Sequence, residues 1–219
     1  MSDNSKVTSS RAKLRERIVD TAYEAFTSEG IRNITMDEIA ASLGISKRTL
    51  YEVFSDKETL LEACILKSQQ LMDDFVVEVL AHTDNVLEVI LKIFQESIKR
   101  FHATNKLFFE DIKKYPKAYV LISRRREKDS EEAITFFKEG IHQGLFRDDV
   151  NFEIMSLLVR EQMNMLLHSD ICEKYSFLAV YESIMFTYLR GISTPKGAQE
   201  LEEFIQVYRN SCTTEEILK

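Results

Sequence analysis

Glycine and proline, the residues that most readily end helices, are scarce in this sequence, with 6 glycines and 2 prolines among 219 residues. Long helices therefore have few points at which they would break. Leu, Ile, Ala, Glu and Lys dominate the composition, and 44% hydrophobic residues are ample for a packed core. We predict an all-α protein of about nine to ten helices.

Cysteine and histidine are also scarce. Cys64, Cys172 and Cys212 lie far apart without a CxxC spacing, and the 4 histidines show no metal-ligand spacing. This pattern excludes a recognisable zinc site and indicates a reducing compartment, so we predict no metal and no cofactor. Because the sequence also lacks an HExxH motif, a nucleophile elbow and a phosphate-binding glycine loop, we predict that the protein is not an enzyme.

Long apolar runs are missing as well. No run approaches the roughly 20 residues that cross a bilayer, and no signal peptide is visible, so we expect a soluble cytoplasmic protein. The net charge of -7 argues against a protein that coats nucleic acid. Residues 1–17, however, carry five basic and two acidic residues. A compact positive region on an acidic body would suppress indiscriminate binding to nucleic acid.

The segment Thr35–Lys57 predicts two short helices joined by a tight turn at Gly44, which together make a helix-turn-helix. Each helix start in this region has a capping signal. These signals are Thr35 with Glu38, Ser46 alone, and Ser55 with Glu58 at the start of a third helix. The apolar residues at helical spacing are Ile39, Ala40, Leu43, Ile45, Leu50 and Phe54. One face is therefore core, and the other is free to meet a partner.

The free face of the second helix has the composition of a helix that reads DNA. No acidic residue occurs from Gly44 to Tyr51. Arg48 suits a bidentate contact with a guanine edge, Lys47 suits guanine or phosphate, and Thr49 suits a thymine methyl group. Lys57, at the start of the next helix, is placed to contact the DNA backbone. The alternative is that Lys47 and Arg48 only form a solvated face.

The amino-terminal residues predict a basic arm. Residues 1–9 are polar and are expected to be disordered in the absence of DNA. Arg11 and Lys13 would then lie along phosphates or enter a minor groove, whereas the alternative is a solvated tail. A first helix follows and ends at Gly30, which provides a left-handed stop.

From about Arg15 to Leu61 the sequence resembles the DNA-binding domain of TetR-family transcriptional regulators. The residues that carry the resemblance are Ile18 to Phe26, Gly30, Thr35 to Ala40, Leu43 to Ser46, Thr49 to Tyr51, Phe54, Lys57, Glu58, Leu60 and Leu61. Glu52 and Val53 depart from the family, whose members often carry aromatic residues or histidine there. A carboxylate beside phosphates costs DNA affinity unless Lys or Arg pairs with it. The predicted DNA-binding residues are Arg11, Lys13, Thr35, Met36, Ser46, Lys47, Arg48, Thr49, Tyr51 and Lys57.

The resemblance implies two domains, a helix-turn-helix head with its basic arm in residues 1–60 and a helical regulatory body in residues 61–219. A helix of about 25 residues from Asp56 would belong to both. Regulators of this family usually bind a small molecule among the body helices, and clustered aromatic residues here suit a hydrophobic or aromatic ligand, although most such residues are core. The predicted ligand-binding residues are Phe94, Phe101, His102, Tyr115, Tyr119 and Phe137.

Two helices near the end of the chain, from Phe152 to about His168 and from Tyr175 to about Arg190, are apolar around more of their circumference than a surface helix requires. The resemblance implies a two-fold homodimer in which both helices pair with their mates as a four-helix bundle. The predicted interface residues are Ile154, Leu158, Met163, Tyr181, Met185 and Tyr188.

These expectations describe a sequence-specific DNA-binding transcriptional regulator, with repression as the default, that a small ligand releases from a palindromic DNA operator. Two alternatives stay open. The first is a helical protein-interaction module that has lost DNA binding, for which Glu52 is the motivating feature. The second, less favoured, is an all-helical enzyme.

Overall fold

A computed structural model describes residues 2–168 and 171–216, with the side chains of residues 10–125, 128, 129, 132–166, 171 and 174–210. The described residues form eleven helices and one isolated antiparallel bridge, between Phe146 and Ser193. The helices are α1 (Ser2–Glu29), α2 (Met36–Ser42), α3 (Lys47–Val53), α4 (Lys57–Leu80), α5 (Val86–His102), α6 (Lys106–Ile112), α7 (Pro116–His142), α8 (Phe152–His168), α9 (Ile171–Lys174), α10 (Phe177–Ile192) and α11 (Pro195–Glu216). The all-α fold class is thereby confirmed.

The helix boundaries differ from the sequence predictions at three places. Helix α1 begins at Ser2, so the predicted disorder of residues 2–9 is wrong; no glycine or proline interrupts this stretch. Helix α4 is capped by Asp56 rather than Ser55, because Asp56 Oδ1 accepts a hydrogen bond from the Thr59 N–H at 2.7 Å. The additional helix, α9, is a single turn and too short to show a periodic pattern.

The chain divides into two compact units. The first contains the described residues up to Phe75 together with Lys99–Arg125. The second contains Val76–Ile98 together with the described residues from Arg126 onward. Helices α4, α5 and α7 each contribute residues to both units, and α4 is the long helix that the sequence predicts.

The core of the first unit is built on one face of α1. Ile18, Ala22 and Phe26 recur every four residues and are fully buried, as expected for the inner stripe of an amphipathic helix. Helix α1 ends at Gly30, whose φ of +89° is left-handed and whose N–H donates to the Phe26 carbonyl at 3.1 Å. A glycine at this position satisfies a terminal carbonyl of the helix without steric strain.

The core of the second unit centres on Phe94, which is 1% exposed. Its ring lies 5.2 Å from that of Tyr181, 5.1 Å from that of Phe186 and 5.7 Å from that of Tyr208, measured between centroids. The Tyr208 hydroxyl donates to Glu182 Oε1 at 2.9 Å. Pairs of rings at these distances add packing energy beyond the area that they bury.

Of the three cysteines, Cys64 is the one whose side chain is described. Cys64 is buried, and burial raises the pKa of its thiol to about 12, so it behaves as a core residue. The side chains of Cys172 and Cys212 lie outside the described residues.

Within residues 2–168 and 171–216, none of the helices combines the length and the apolar composition that a bilayer span requires.

Candidate DNA-binding site

The helix-turn-helix is formed by α2, α3 and the turn between them. The Thr35 side chain accepts a hydrogen bond from the Glu38 N–H at 3.2 Å, and the Thr35 N–H donates to Glu38 Oε2 at 2.7 Å. The Thr35 hydroxyl, which donates to Glu38 Oε2 at 2.8 Å, and the Thr35 N–H together hold the pKa of the Glu38 carboxyl below its usual value. Ser46 caps α3 by accepting from the Thr49 N–H at 3.0 Å, and Gly44 takes a φ of +66° in the turn. The predicted capping box, second cap and turn are all confirmed.

The inner faces of the two helices fix their crossing. Ile39, Ala40, Leu50 and Phe54 are at most 3% exposed, and the small Ala40 side chain lets the helices approach closely. Met36 was predicted to contact DNA, but its side chain is 6% exposed and belongs to this core. The prediction is corrected for that side chain, because a methionine on the inner face of α2 does not reach a ligand at the surface.

The outer face of α3 carries the predicted reading residues. Ser46, Lys47, Arg48 and Tyr51 are exposed, and Thr49 is half-buried. The Thr49 and Ser46 hydroxyl groups lie 2.8 Å apart and share a hydrogen bond. The side chains of α3 that were predicted to bind DNA therefore lie together on one surface.

Both cations of the outer face form ion pairs within the chain. Lys47 Nζ lies 2.9 Å from Asp37 Oδ2, and this contact raises the pKa of Lys47. Arg48 Nε lies 2.9 Å from Glu52 Oε1, one helical turn further along α3. Exposed pairs of this kind contribute little to the stability of the free protein, because water screens the two charges.

The basic residues before the head lie on α1 rather than on an extended arm. Arg11 and Lys13 are exposed, and Arg11 Nη2 donates to the Glu52 backbone carbonyl at 3.3 Å. The Arg15 guanidinium lies 5.1 Å from the centroid of the Phe54 ring. Helix α1 thus brings Arg11 and Arg15 to the end of α3, where they extend the positive surface.

Lys57 is tied into the fold more closely than the sequence predicts. Its ammonium group donates to the Ile34 carbonyl and lies 5.7 Å from the centroid of the Phe26 ring. The side chain is half-buried, and burial lowers the pKa of Lys57. Lys57 therefore stabilises the head in the free protein, and its contact with DNA stays a prediction.

Two acidic residues, Asp37 and Glu52, belong to the site although neither was among the predicted DNA-binding residues. Glu52 stands four residues after Arg48, and that helical spacing was a usable signal for an ion pair. Asp37 and Lys47 are ten residues apart on different helices. Their contact depends on the crossing of α2 and α3, so no local pattern predicts it.

The residues predicted to bind a ligand fall into both units. Phe101, His102, Tyr115 and Tyr119 belong to the first unit, where Phe101 stacks on Phe109 with centroids 4.9 Å apart. Phe94 and Phe137 belong to the second unit. His102 is exposed. Tyr115 and Tyr119 are half-buried against the core of the first unit. Phe137 stacks on Phe152. Neither unit by itself contains all six predicted ligand-binding residues.

The residues predicted at the dimer interface differ in exposure. Ile154 and Leu158 on α8 are 55% and 51% exposed. The half-buried residues are Met163, Tyr181, Met185 and Tyr188, of which the last three pack against the core of the second unit. Tyr181 stacks on Phe94, and burial raises the pKa of its hydroxyl to about 12. Exposed Leu157 and Met165, also on α8, were not among the predicted residues.

Comparisons with known proteins agree with this head and this fold. The model of the family described as bacterial regulatory proteins, tetR family, matches residues 18–64. An HTH-type transcriptional regulator of Staphylococcus aureus is 33% identical over 100 residues, which cover 42% of this chain and 49% of that protein. The matched segment therefore spans about half the length of that relative.

Two further similarities extend over more of the chain. The HTH-type transcriptional repressor KstR2 of Mycolicibacterium smegmatis is 22% identical over 68% of this chain and 76% of its own length. A transcriptional regulator from Saccharomonospora viridis, solved in complex with choline, has the same fold with a TM-score of 0.68; it is 17% identical, over 84% of this chain and 99% of its own. The helix-turn-helix head, residues 18–64, is therefore similar to that of the tetR family of bacterial regulatory proteins, and the all-helical fold is shared with solved transcriptional regulators.

Proposed function

We propose that the protein is a homodimeric repressor that binds a palindromic DNA operator and leaves it when a small molecule binds the regulatory body. The observation that carries the proposal is the outer face of α3, where Lys47, Arg48 and Tyr51 are exposed on a capped helix-turn-helix. In this motif the residues near the start of the second helix contact base edges in the major groove. Arg48 is the second residue of α3.

The exposed face of α8 supports a dimer. Ile154, Leu157, Leu158 and Met165 are each about half exposed and recur at helical spacing. An apolar face of this kind is stabilised when a second chain covers it. A two-fold dimer would also present two copies of α3, as binding to successive major grooves about 34 Å apart requires.

A small hydrophobic or aromatic molecule is the proposed effector. The regulator from Saccharomonospora viridis is described in complex with choline, which supports binding of a small molecule by this fold. The aromatic residues predicted to line such a site remain the candidates. A hundredfold change in operator affinity requires that the effector favour one conformation by about 2.7 kcal/mol.

Contacts within the first unit suggest how helix α6 would act on the head. The Asn105 N–H donates to the Thr27 carbonyl at 2.7 Å, and the Asn105 side chain donates to the Ser28 carbonyl at 3.0 Å. Asp111, 7% exposed, accepts a hydrogen bond from the Arg32 N–H at 2.8 Å. A displacement of α6 would therefore pull on the segment that joins α1 to α2.

Arg48→Ala is expected to weaken operator binding by about 1–3 kcal/mol and to relax sequence preference at one base pair, because a bidentate contact to guanine would be lost. The measurement is a titration of the operator and of its single-base variants. Lys57→Ala serves as the comparison and is expected to weaken all sequences similarly, once its loss of folding stability has been measured by denaturation. An unchanged base preference in Arg48→Ala would mean that the reading face is assigned wrongly.

Asp111→Ala is expected to lower the free energy of unfolding by about 1.5–3 kcal/mol, because the Arg32 N–H would lose a charged acceptor in a buried site. Asp111→Asn keeps an oxygen acceptor and should cost less than half as much. Urea denaturation of both variants gives the comparison. Equal losses in the two variants would show that the charge, rather than the hydrogen bond, is what stabilises the fold.

The proposed function as a whole is tested by selecting bound DNA from a random duplex pool and titrating the selected sequence at several salt concentrations. We expect a two-fold-symmetric sequence and an affinity that falls steeply as salt rises. If a folded and dimeric preparation enriches no sequence, the head does not read DNA and a protein partner becomes the better explanation.

A further inference from the structure

Arg48 and Glu52 form an ion pair that leaves most of the guanidinium group available. The contact of 2.9 Å joins Arg48 Nε to Glu52 Oε1. The Arg48 side chain is 89% exposed, and among the described residues its guanidinium has no further hydrogen bond, so Nη1 and Nη2 are available to a ligand. Two parallel N–H donors are what a bidentate contact with guanine O6 and N7 requires.

The partner carboxylate stands on backbone that is held at two points. The Glu52 carbonyl accepts a hydrogen bond from Arg11 Nη2 on α1 at 3.3 Å. Two residues further on, the Phe54 N–H donates to the Leu50 carbonyl at 2.9 Å, and both of those residues are buried. The last turn of α3 is therefore fixed to the core and to α1, and it carries the carboxylate at a defined place beside Arg48.

The same carboxylate acts against contacts with phosphate. An arginine as exposed as Arg48 has many accessible rotamers and, without a partner, would form an ion pair with the nearest DNA phosphate. A phosphate contact carries no sequence information. A carboxylate at 2.9 Å offsets that attraction, because phosphate and carboxylate repel each other. A guanine edge is uncharged and does not suffer this repulsion.

From these contacts we propose that Glu52 is a specificity-determining residue that positions Arg48 toward a guanine edge and disfavours its contact with the DNA backbone. The inference rests on the proposed function, since it concerns the same reading face. It gives a role to the position at which the sequence departs from the family that its head resembles, and it predicts that the carboxylate lowers non-specific affinity more than operator affinity.

The test measures the affinity of Glu52→Gln for the selected operator and for a random duplex of equal length. We expect the variant to bind the random duplex more tightly and the ratio of the two affinities to fall by about tenfold, which lies within the range for one base contact. The salt dependence for the random duplex should also steepen by about one phosphate contact, as Arg48 moves to the backbone.

Two controls separate this effect from a simple change of charge. Glu24→Gln removes one negative charge from an exposed position on α1 and should leave the affinity ratio within about twofold of the wild type, as expected for a distant charge screened by salt. In an Arg48→Ala background, Glu52→Gln should no longer change the ratio, because the group that it positions is absent.

Two results would overturn the inference. If Glu52→Gln changes both affinities by the same factor as Glu24→Gln, the carboxylate contributes only charge, and the proposed function survives without this role for Glu52. If the wild-type protein itself prefers no duplex over the random pool, the proposed function fails and the inference fails with it.

Discussion

Leu158→Glu is expected to yield a monomer and to reduce operator affinity by at least about a hundredfold. Leu158 is 51% exposed on α8, next to Ile154 and Leu157, which are 55% and 48% exposed. If a second chain covers this face, the new carboxylate would be buried in an apolar interface without a partner, which is strongly unfavourable. Loss of the dimer separates two linked reading heads, and such linkage commonly adds a factor of about 10²–10⁴ to affinity.

The measurement is sedimentation velocity for the mass in solution, followed by titration of the operator. Val207→Glu is the matched control, because Val207 is a 69% exposed apolar residue on α11 of the same unit. It should remain dimeric and bind the operator as the wild type does. A dimeric Leu158→Glu variant would place the interface on another face, and a monomer with undiminished affinity would show that one head suffices.

Gly30→Ala is expected to lower the free energy of unfolding of the first unit by about 2–5 kcal/mol. The φ of +89° at Gly30 costs a residue with a side chain about 1–2 kcal/mol. A methyl group there would also lie 2.7 Å from Leu107 Cβ on α6. Because that atom is attached directly to the backbone, it cannot swing away, and overpacking adds about 1–3 kcal/mol.

Gly44→Ala separates the two contributions to this loss. Gly44 has a φ of +66°, and nothing lies within 4 Å of the methyl group that alanine would add. This control should therefore cost only the backbone strain, and the difference between the variants, measured by urea denaturation, reports the contact with α6. Equal costs would mean that α6 yields to the methyl group, and the proposed route from α6 to the head would lose its support.

Much of the head follows from residues close together in the sequence. The capping pair of Thr35 and Glu38, the Ser46 cap and the turns at Gly30 and Gly44 all form as predicted. Each depends on interactions within about four residues, which the chain makes wherever it is placed. The apolar stripe of α1 likewise fixes which of its faces is buried.

Pairings over longer distances depend on how the helices cross. The ammonium of Lys57 binds the Ile34 carbonyl, and Lys47 pairs with Asp37. Met36 lies inside the core, although its position in the family motif had suggested a contact with DNA. Each outcome is set by the angle and depth at which α2, α3 and α4 meet, and no spacing in the sequence encodes that geometry.

The sequence by itself determined the helical class, the helix-turn-helix and the family that its head resembles, because periodicity, caps and turn residues are local. Only the tertiary structure decided that Asp111 holds the Arg32 N–H from 79 residues away and that the predicted ligand residues divide between two units. Aromatic side chains at helical spacing pack equally well in either core. Which core receives each ring depends on the packing of whole helices, and this is the information that a single sequence lacks.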